Sequence, residues 1–334
     1  VQHHASNFND QFSIISSPAH QSMPPRIFTF TPNPNLDRTL TVTDVCLDTV
    51  LRAVASRVDP GGKGFNVARA LHALGIAGTA LAFLGGDTGA RLRDMMAGAG
   101  VDVQAVPVAN ETRTCYVVTD AAGVRHLKVN EPGPVVSEAE VAACFAAIGA
   151  QVRSGDLWVL AGSLPPGVEQ DFYARLIGLL HKMGAHVVLD ASGEALRLGL
   201  HARPFLVKPN ALEAGEALGI EISTPNVAAH AAAQLCAMGV DYGAISLGAE
   251  GLVLAHAGES VHAWPPAVQA RNTVGAGDAA VAGMLWALAQ GLPLDEMARW
   301  SVACGTAAAM RPGTDFGPLD EVERVATQVR IEHI

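Results

Sequence analysis

The sequence predicts an α/β fold in which a mostly parallel sheet is covered by helices on both faces. Three observations carry this prediction. From about residue 137 onward, helical-period stretches alternate with short runs of aliphatic and β-branched residues, the rhythm of a layered parallel sheet. Apolar residues make up 49% of the 334 and charged residues only 16%, which is enough to bury a large core. Glycine-rich turns stand directly before apolar helical segments, at residues 61–64 and 275–277, as expected where the chain turns sharply into a helix.

Taken in order, residues 26–30 read as the first buried strand and 39–45 as a second, more exposed one. The turn Gly61-Gly62-Lys63-Gly64 opens a helix whose Phe65, Val67, Ala68, Leu71 and Leu74 share a face. A strand at 79–84 and a helix at 90–99 follow. Residues 115–119 and 124–129 are short and β-branched, and Asp120-Ala121-Ala122-Gly123 joins them as a hairpin. The regular alternation comes next, with helices at 137–151, 169–182, 211–218 and 226–238 and strands at 157–161, 186–190, 205–208 and 243–247. Residues 251–255 and 260–264 form an antiparallel meander, and helices at about 276–290, 294–310 and 318–329 close the chain. The early strands at 39–45 and 115–129 do not fit the layered pattern and are expected to form a small separate sheet.

Composition also excludes functions. A net charge of −10 argues against a general nucleic-acid binder, so an anionic substrate must be held by a few local cations. No apolar run reaches the roughly 18 residues of a membrane span. Residues 1–25 are polar and irregular and read as a flexible tail without a secretory signal; His3 and His4 in it lack a third metal ligand nearby. Five scattered cysteines without CxxC spacing read as reduced and mostly buried, in a cytoplasm-like compartment. The twelve histidines show no HxxxH or HExxH spacing, and none is assigned catalysis.

The segment Asn272-Thr273-Val274-Gly275-Ala276-Gly277-Asp278 carries the chemistry. Glycines let backbone N–H groups approach an anion, and a helix start adds roughly half a positive charge. An aspartate is poorly placed beside a phosphate unless it reacts. Asp278 is therefore the candidate general base that deprotonates an attacking hydroxyl, with the N–H groups of Gly275, Ala276 and Gly277 as the anion hole. On its own the same pattern also describes a tight loop with a helix cap. The turn at 61–64 lacks the third glycine of a dinucleotide GxGxxG and the GxxxxGK[ST] spacing of a Walker loop.

The chain resembles the ribokinase-like, phosphofructokinase-B-type sugar kinases. Thr31-Pro32-Asn33-Pro34-Asn35-Leu36-Asp37, Gly61 to Arg69, Gly162-Ser163-Leu164-Pro165-Pro166-Gly167, Lys208-Pro209-Asn210-Ala211-Leu212-Glu213 and Asn272 to Asp278 resemble five family motifs in the family's order. Asn272 departs from the pattern, standing where many relatives carry aspartate. The Thr-Pro-Asn-Pro opening and the Asn130-Glu131-Pro132-Gly133-Pro134 segment are most similar to 1-phosphofructokinases, with tagatose-6-phosphate kinases and B-type 6-phosphofructokinases close by.

The resemblance implies a three-layer α/β/α sandwich over residues 26–334, with a β lid from segments near 37–60 and 105–130. It implies ATP and Mg²⁺ as co-substrate and ion, a ketohexose phosphate as acceptor, and a homodimer formed through the lid. The loop with Gly62 would approach the sugar, and Asp37 and Asn66 would bind its hydroxyls. Arg113, Lys128, Lys63 and Ser163 would hold its phosphate. Lys208, Asn210, Ser246, Gly248 and Thr273 would line the nucleotide site, and Asn210 with Glu213 would order the magnesium ion through water. Each assignment has a plain alternative: a turn residue for Asp37, a first-turn cap for Asn66, solvated charges for Arg113 and Lys128, and a capping box for Asn210 and Glu213. A non-catalytic sugar-phosphate sensor on the same fold is the rival of a different class.

Overall fold

The structure, a computed structural model, describes residues 25–121 and 125–334. The expectations for residues 1–24, including His3 and His4, and for the hairpin link at Ala122 and Gly123 lie outside the described residues. The chain begins with β1 (Ile27–Thr31), β2 (Asn35–Val42), β3 (Ala55–Gly61), α1 (Lys63–Ala73), β4 (Gly78–Leu84), α2 (Gly86–Gly98) and β5 (Asp102–Pro107). It continues with β6 (Arg113–Asp120), β7 (His126–Asn130), α3 (Glu138–Gln151), β8 (Leu157–Ala161), α4 (Phe172–Lys182), β9 (His186–Asp190), α5 (Gly193–His201), β10 (Leu206–Val207) and α6 (Ala211–Leu218). Last come α7 (Pro225–Ala237), β11 (Tyr242–Ser246), β12 (Leu252–His256), β13 (Glu259–Trp264), α8 (Ala276–Ala289), α9 (Leu294–Ala309), α10 (Leu319–Ala326) and β14 (Arg330–His333).

Among the described residues these strands form two sheets. The large sheet runs β14-β13-β12-β11-β10-β9-β8-β1-β4-β5. From β11 to β5 every pairing is parallel, and β12, β13 and β14 add an antiparallel margin. The core follows the period of two along each strand. In β8, Leu157 and Val159 pack toward the layer holding α1, α8, α9 and α10, whereas Trp158 and Leu160 pack toward the layer holding α4, α5 and α7. A sheet buried on both faces explains why the central strands read as continuous apolar runs. Their Phe28–Trp158 stack, with centroids 4.4 Å apart, anchors the centre of one face.

The small sheet, ordered β3-β2-β6-β7, combines the early strands that the pattern set apart. Asn35 pairs with both Gly61 and Arg113, which brings the ends of three segments to one point. The structure differs from expectation mainly at margins. β2 begins at Asn35, four residues before the expected start at 39. Residues 102–107 join the large sheet beside β4, so the segment expected to contribute to the small sheet from 105 does so only from Arg113. The last helix ends at Ala326, and residues 330–333 pair with β13 as a fourteenth strand. The sequence reading had no counterpart for β3, β5, β14 or α5. β3 and β5 contain Pro60 and Pro107, which an edge strand tolerates because one row of its N–H groups has no ladder partner.

Candidate active site

Strand ends place the site. β1 ends at Thr31, β8 at Ala161, β9 at Asp190, β10 at Val207 and β11 at Ser246. These strands are consecutive in the parallel sheet, taken β1-β8-β9-β10-β11. Thr31, Gly162, Ser163, Asp190, Lys208 and Ser246 therefore gather along one carboxyl edge. The chain grows from β1 toward β4 and β5, then resumes on the other side of β1 at β8, so the topology reverses beside this edge. Open α/β sheets bind ligands at that position.

A cleft of about 420 Å³ opens there. It brings together Asp37, Gly62, Lys63, Asn66, Arg113, Lys128, Ser163, Lys208, Asn210, Glu213, Ser246, Gly275, Gly277 and Asp278. Ala276, Thr273 and Gly248 instead line an adjoining cleft of about 440 Å³, whose walls include Pro265, Pro266, Val268 and Val302. Ser246 and Gly277 belong to both, so the polar and apolar clefts meet at the start of α8.

The start of α8 is held by Gly275, whose φ of 83° is left-handed and thus favours glycine. Asp278 is 6% exposed, and its Oδ2 accepts a 2.8 Å hydrogen bond from Asn66 Nδ2. It makes no cap to its own helix, so the helix-cap alternative does not describe it. Burial, reinforced by the nearby Asp190 charge and opposed by the Asn66 bond, pushes its carboxyl up to about 7. The three-amide anion hole needs a correction. The Ala276 N–H turns back to Thr273 O at 3.2 Å, and among the described residues Gly275 and Gly277 N–H have no backbone acceptor. Asn272 braces this turn. Its Oδ1 accepts from Val274 N at 3.0 Å and its Nδ2 donates to Gly313 O at 2.9 Å, a bond that a carboxylate in its place has no proton to make.

Two lysines flank Asp278 through a shared anion. Lys63 Nζ donates to Asp190 Oδ1 at 2.6 Å, and Lys208 Nζ lies 3.1 Å from Asp190 Oδ2, at ion-pair distance but outside hydrogen-bond alignment. Burial alone would raise the Asp190 carboxyl, yet Lys208 and Lys63 hold it below the usual range. Burial would likewise lower Lys63, and Asp190 overrides it and holds the ammonium above its usual range. Asp190 was missed by the sequence reading. Its signal was a charged residue closing the otherwise apolar strand Val187-Val188-Leu189 at the carboxyl edge.

The small sheet supplies the opposite wall. Asp37 projects from β2, and burial raises its carboxyl while Lys128 pulls the other way. Lys128 itself is exposed at the rim. Arg113 is already partly engaged: its terminal nitrogens donate to Glu131 O at 2.8 Å and Asn33 O at 2.9 Å. Asn210 and Glu213 make the reciprocal capping box of α6, each bond 2.9 Å, so the plain alternative holds for those atoms. Thr31 Oγ1, Asn33 Oδ1, Asn35 Nδ2, Asn66 Oδ1 and Arg113 Nε are all buried without a protein partner, and all line this cleft. An unmet buried polar group costs roughly 1–3 kcal/mol. So many along one wall fit a ligand rich in hydroxyl and phosphate oxygens.

A buried carboxyl, backbone amides without a backbone acceptor at a helix start and an apolar cleft next to a polar one fit a phosphotransferase acting on a sugar hydroxyl. The chain belongs to the pfkB family of carbohydrate kinases, whose family model matches residues 35–321. It is 38% identical to a 1-phosphofructokinase of Rhodobacter capsulatus, over 92% of this chain and 98% of that one. It is 36% identical to an ATP-dependent 6-phosphofructokinase isozyme 2 of Mycobacterium tuberculosis, over 90% of this chain and 88% of that one. Among solved structures, phosphofructokinase-2 from Escherichia coli in complex with fructose-6-phosphate superposes with a TM-score of 0.85 at 32% identity, covering 91% of this chain and 99% of that chain. The large, mostly parallel sheet with a smaller one beside it is the ribokinase-like fold, and the co-substrate of such a kinase is ATP.

Proposed function

We propose that this kinase phosphorylates a ketohexose phosphate, D-fructose 1-phosphate first, at its 6-hydroxyl to give fructose 1,6-bisphosphate. The observation that carries the reading is the buried Asp278 carboxyl, pushed up to about 7, which lines the polar cleft next in sequence to Gly277, where the polar and apolar clefts meet. The Asp278 carboxylate takes the hydroxyl proton. The freed oxygen bonds to the γ-phosphorus of ATP as the bond to the β,γ-bridging oxygen breaks, and ADP leaves. Gly275 and Gly277 N–H face the phosphoryl oxygens. Lys63 and Lys208, held in place by Asp190, supply positive charge. Asp37 and Asn66 bind sugar hydroxyls, while Arg113, Lys128 and Ser163 bind the substrate's own phosphate. Thr273, Ser246 and Gly248 flank the ATP chain. The small sheet, which contributes Asp37, Arg113 and Lys128, acts as a lid that excludes water.

The donor set suits magnesium bound mainly by phosphate and water. Among the described residues no group of three or more His, Cys, Asp or Glu gathers as a ligand cage, and Asn210 and Glu213 spend one oxygen each on their mutual cap. Glu213 and Asn210 would hold the ion's water shell, and a magnesium ion there would supply positive charge to the phosphates of ATP. A homodimer through the small sheet fits the outward apolar side chains Leu127 and Val129 on its edge strand β7, which are 47% and 52% exposed.

A coupled assay for ADP release across fructose 1-phosphate, fructose 6-phosphate, tagatose 6-phosphate and free fructose tests this reading. Fructose 1-phosphate is expected to give the highest kcat/KM and free fructose a value at least about a hundredfold lower, since a lost charged contact costs roughly 1.5–3 kcal/mol and several are lost together. A higher value for fructose 6-phosphate, the substrate class of the 36% identical relative, would reassign the acceptor. Comparable turnover of free fructose would remove Arg113 and Lys128 from phosphate binding.

A further inference from the structure

The loop from α9 to α10, residues 311–317, touches three parts of the site at once. In the anion-binding turn, Asn272 Nδ2 donates to Gly313 O at 2.9 Å. Thr314 and Phe316 are buried against the same turn, where a Cβ on Gly275 would lie 3.2 Å from the Phe316 ring and 3.7 Å from the Thr314 methyl. Arg69, on α1, donates to Thr314 Oγ1 at 2.8 Å and lies over the Phe316 ring, 5.2 Å from its centroid. The third contact comes from the small sheet. Gly313, whose φ is 65°, packs so closely on the guanidinium of Arg57 in β3 that a Cβ there would overlap it.

Arg57 is held in this pose from its own strand. Its Nε donates to Asp59 Oδ2 at 2.7 Å, and Asp59 stands opposite Asp37 in the ladder. A planar guanidinium covers a glycine while one edge nitrogen keeps the carboxylate; a lysine ammonium, a point charge on a flexible stem, does not do both. Asp37, Asp59, Arg57, Gly313 and Asn272 thus run in series from the sugar wall to the anion-binding turn. Arg57 itself lines neither of the two clefts. We infer that Arg57 is a positioning residue for phosphoryl transfer: seated on Gly313, it ties the small sheet to the turn and so aligns the Gly275 and Gly277 amides with the phosphoryl group when the sugar wall is in place. This rests on the reading of those amides as donors to the transferred phosphoryl. Donors aimed where charge develops act on the transition state more than on bound ATP, so losing the tie lowers kcat rather than affinity.

The test measures kcat, both KM values and melting temperature for wild type, Arg57→Ala, Arg57→Lys, Asn272→Ala and the variant carrying Arg57→Ala with Asn272→Ala. Asp278→Asn is the control on the reaction itself. The Arg57 side chain is 44% exposed, so its variants should fold and melt within a few degrees of wild type. Arg57→Ala is expected to lower kcat about tenfold or more, the scale of a small misplacement of catalytic groups, with KM for ATP and for the sugar phosphate within about threefold. Arg57→Lys keeps the charge without the planar cover and should lose as much. The double variant should fall no further than the slower single one, because both act through Gly313. A kcat within about twofold of wild type in Arg57→Ala, while Asp278→Asn is slowed at least about a hundredfold, overturns the inference and leaves the base standing. So does a raised KM for the sugar with kcat unchanged, which would confine Arg57 to the sugar wall. Full rescue by Arg57→Lys would assign the effect to charge, and losses that multiply in the double variant would assign it to separate routes; either overturns the inference. Asp278→Asn at wild-type kcat overturns the reading beneath it and the inference together.

Discussion

Asp278 sits where folding alone would not put an ionised carboxyl. It is buried within reach of the Asp190 charge and has one side-chain donor, Asn66. In the unfolded chain the group titrates near 3.8, and in the fold near about 7. Between those values the folded protein keeps a proton that the unfolded chain has lost. Stability contributed by the neutral carboxyl is therefore lost as pH rises through this window, and the loss is complete above about 7. Asp278→Asn keeps the Asn66 bond and removes the charge. Thermal melts should place the variant a few degrees above wild type at pH 8, with the gap shrinking toward pH 4. A gap of the same size at every pH would mean that the carboxylate is not strained by its surroundings. The sequence made this residue legible because an acid beside an anion-binding turn is chemically conspicuous. Asp190 carries as much of the local electrostatics and was not legible, since its importance lies in two lysines that are distant in sequence, at 63 and 208.

At the scale of the element, the buried parts of the fold were readable and the margins were not. β1, β4, β8, β9 and β11 are apolar on both faces and announce themselves as runs. The strands missed are the outermost ones, β3 in the small sheet and β5 and β14 in the large one. An edge strand has one ladder partner and half-exposed side chains, so neither burial nor alternation marks it. α5 was missed because Gly193 and Gly199 dilute its helical signal. One consequence is functional. β3 ends at Gly61, whose Cα lies under the Asp37 and Asn35 side chains so closely that a Cβ would overlap both. Gly61→Ala should displace Asp37 and raise KM for the sugar phosphate roughly tenfold, the cost of weakening one charged hydrogen bond, while KM for ATP stays unchanged. Equal KM values for the sugar in both proteins would show that Asp37 does not bind it.

At the scale of the molecule, the alternation of helix and strand predicted the layers but not which strands are neighbours. The order around β1, with β4 on one side and β8 on the other, comes from pairings 51 and 130 residues apart in sequence, and it is this order that aligns five strand ends along one cleft. The small sheet was legible only as strands that did not fit the layers; its role as the facing wall depends on Asn35 pairing with Gly61 and Arg113. Its outer edge carries the surface proposed for a dimer. Sedimentation of wild type should give about twice the 34.6 kDa chain mass, and Leu127→Glu with Val129→Glu should give a monomer. A monomeric wild type would leave those side chains without the proposed partner.

In the proposed reaction the two sheets, the turn at 275–277 and the lysine pair together present one carboxylate to one hydroxyl. Turnover of Asp278→Asn with fructose 1-phosphate, measured beside its KM for ATP, tests this most directly. The account predicts a fall in kcat of at least about a hundredfold with KM for ATP little changed, the signature of a lost proton acceptor. Turnover within a few-fold of wild type in a folded variant would contradict it.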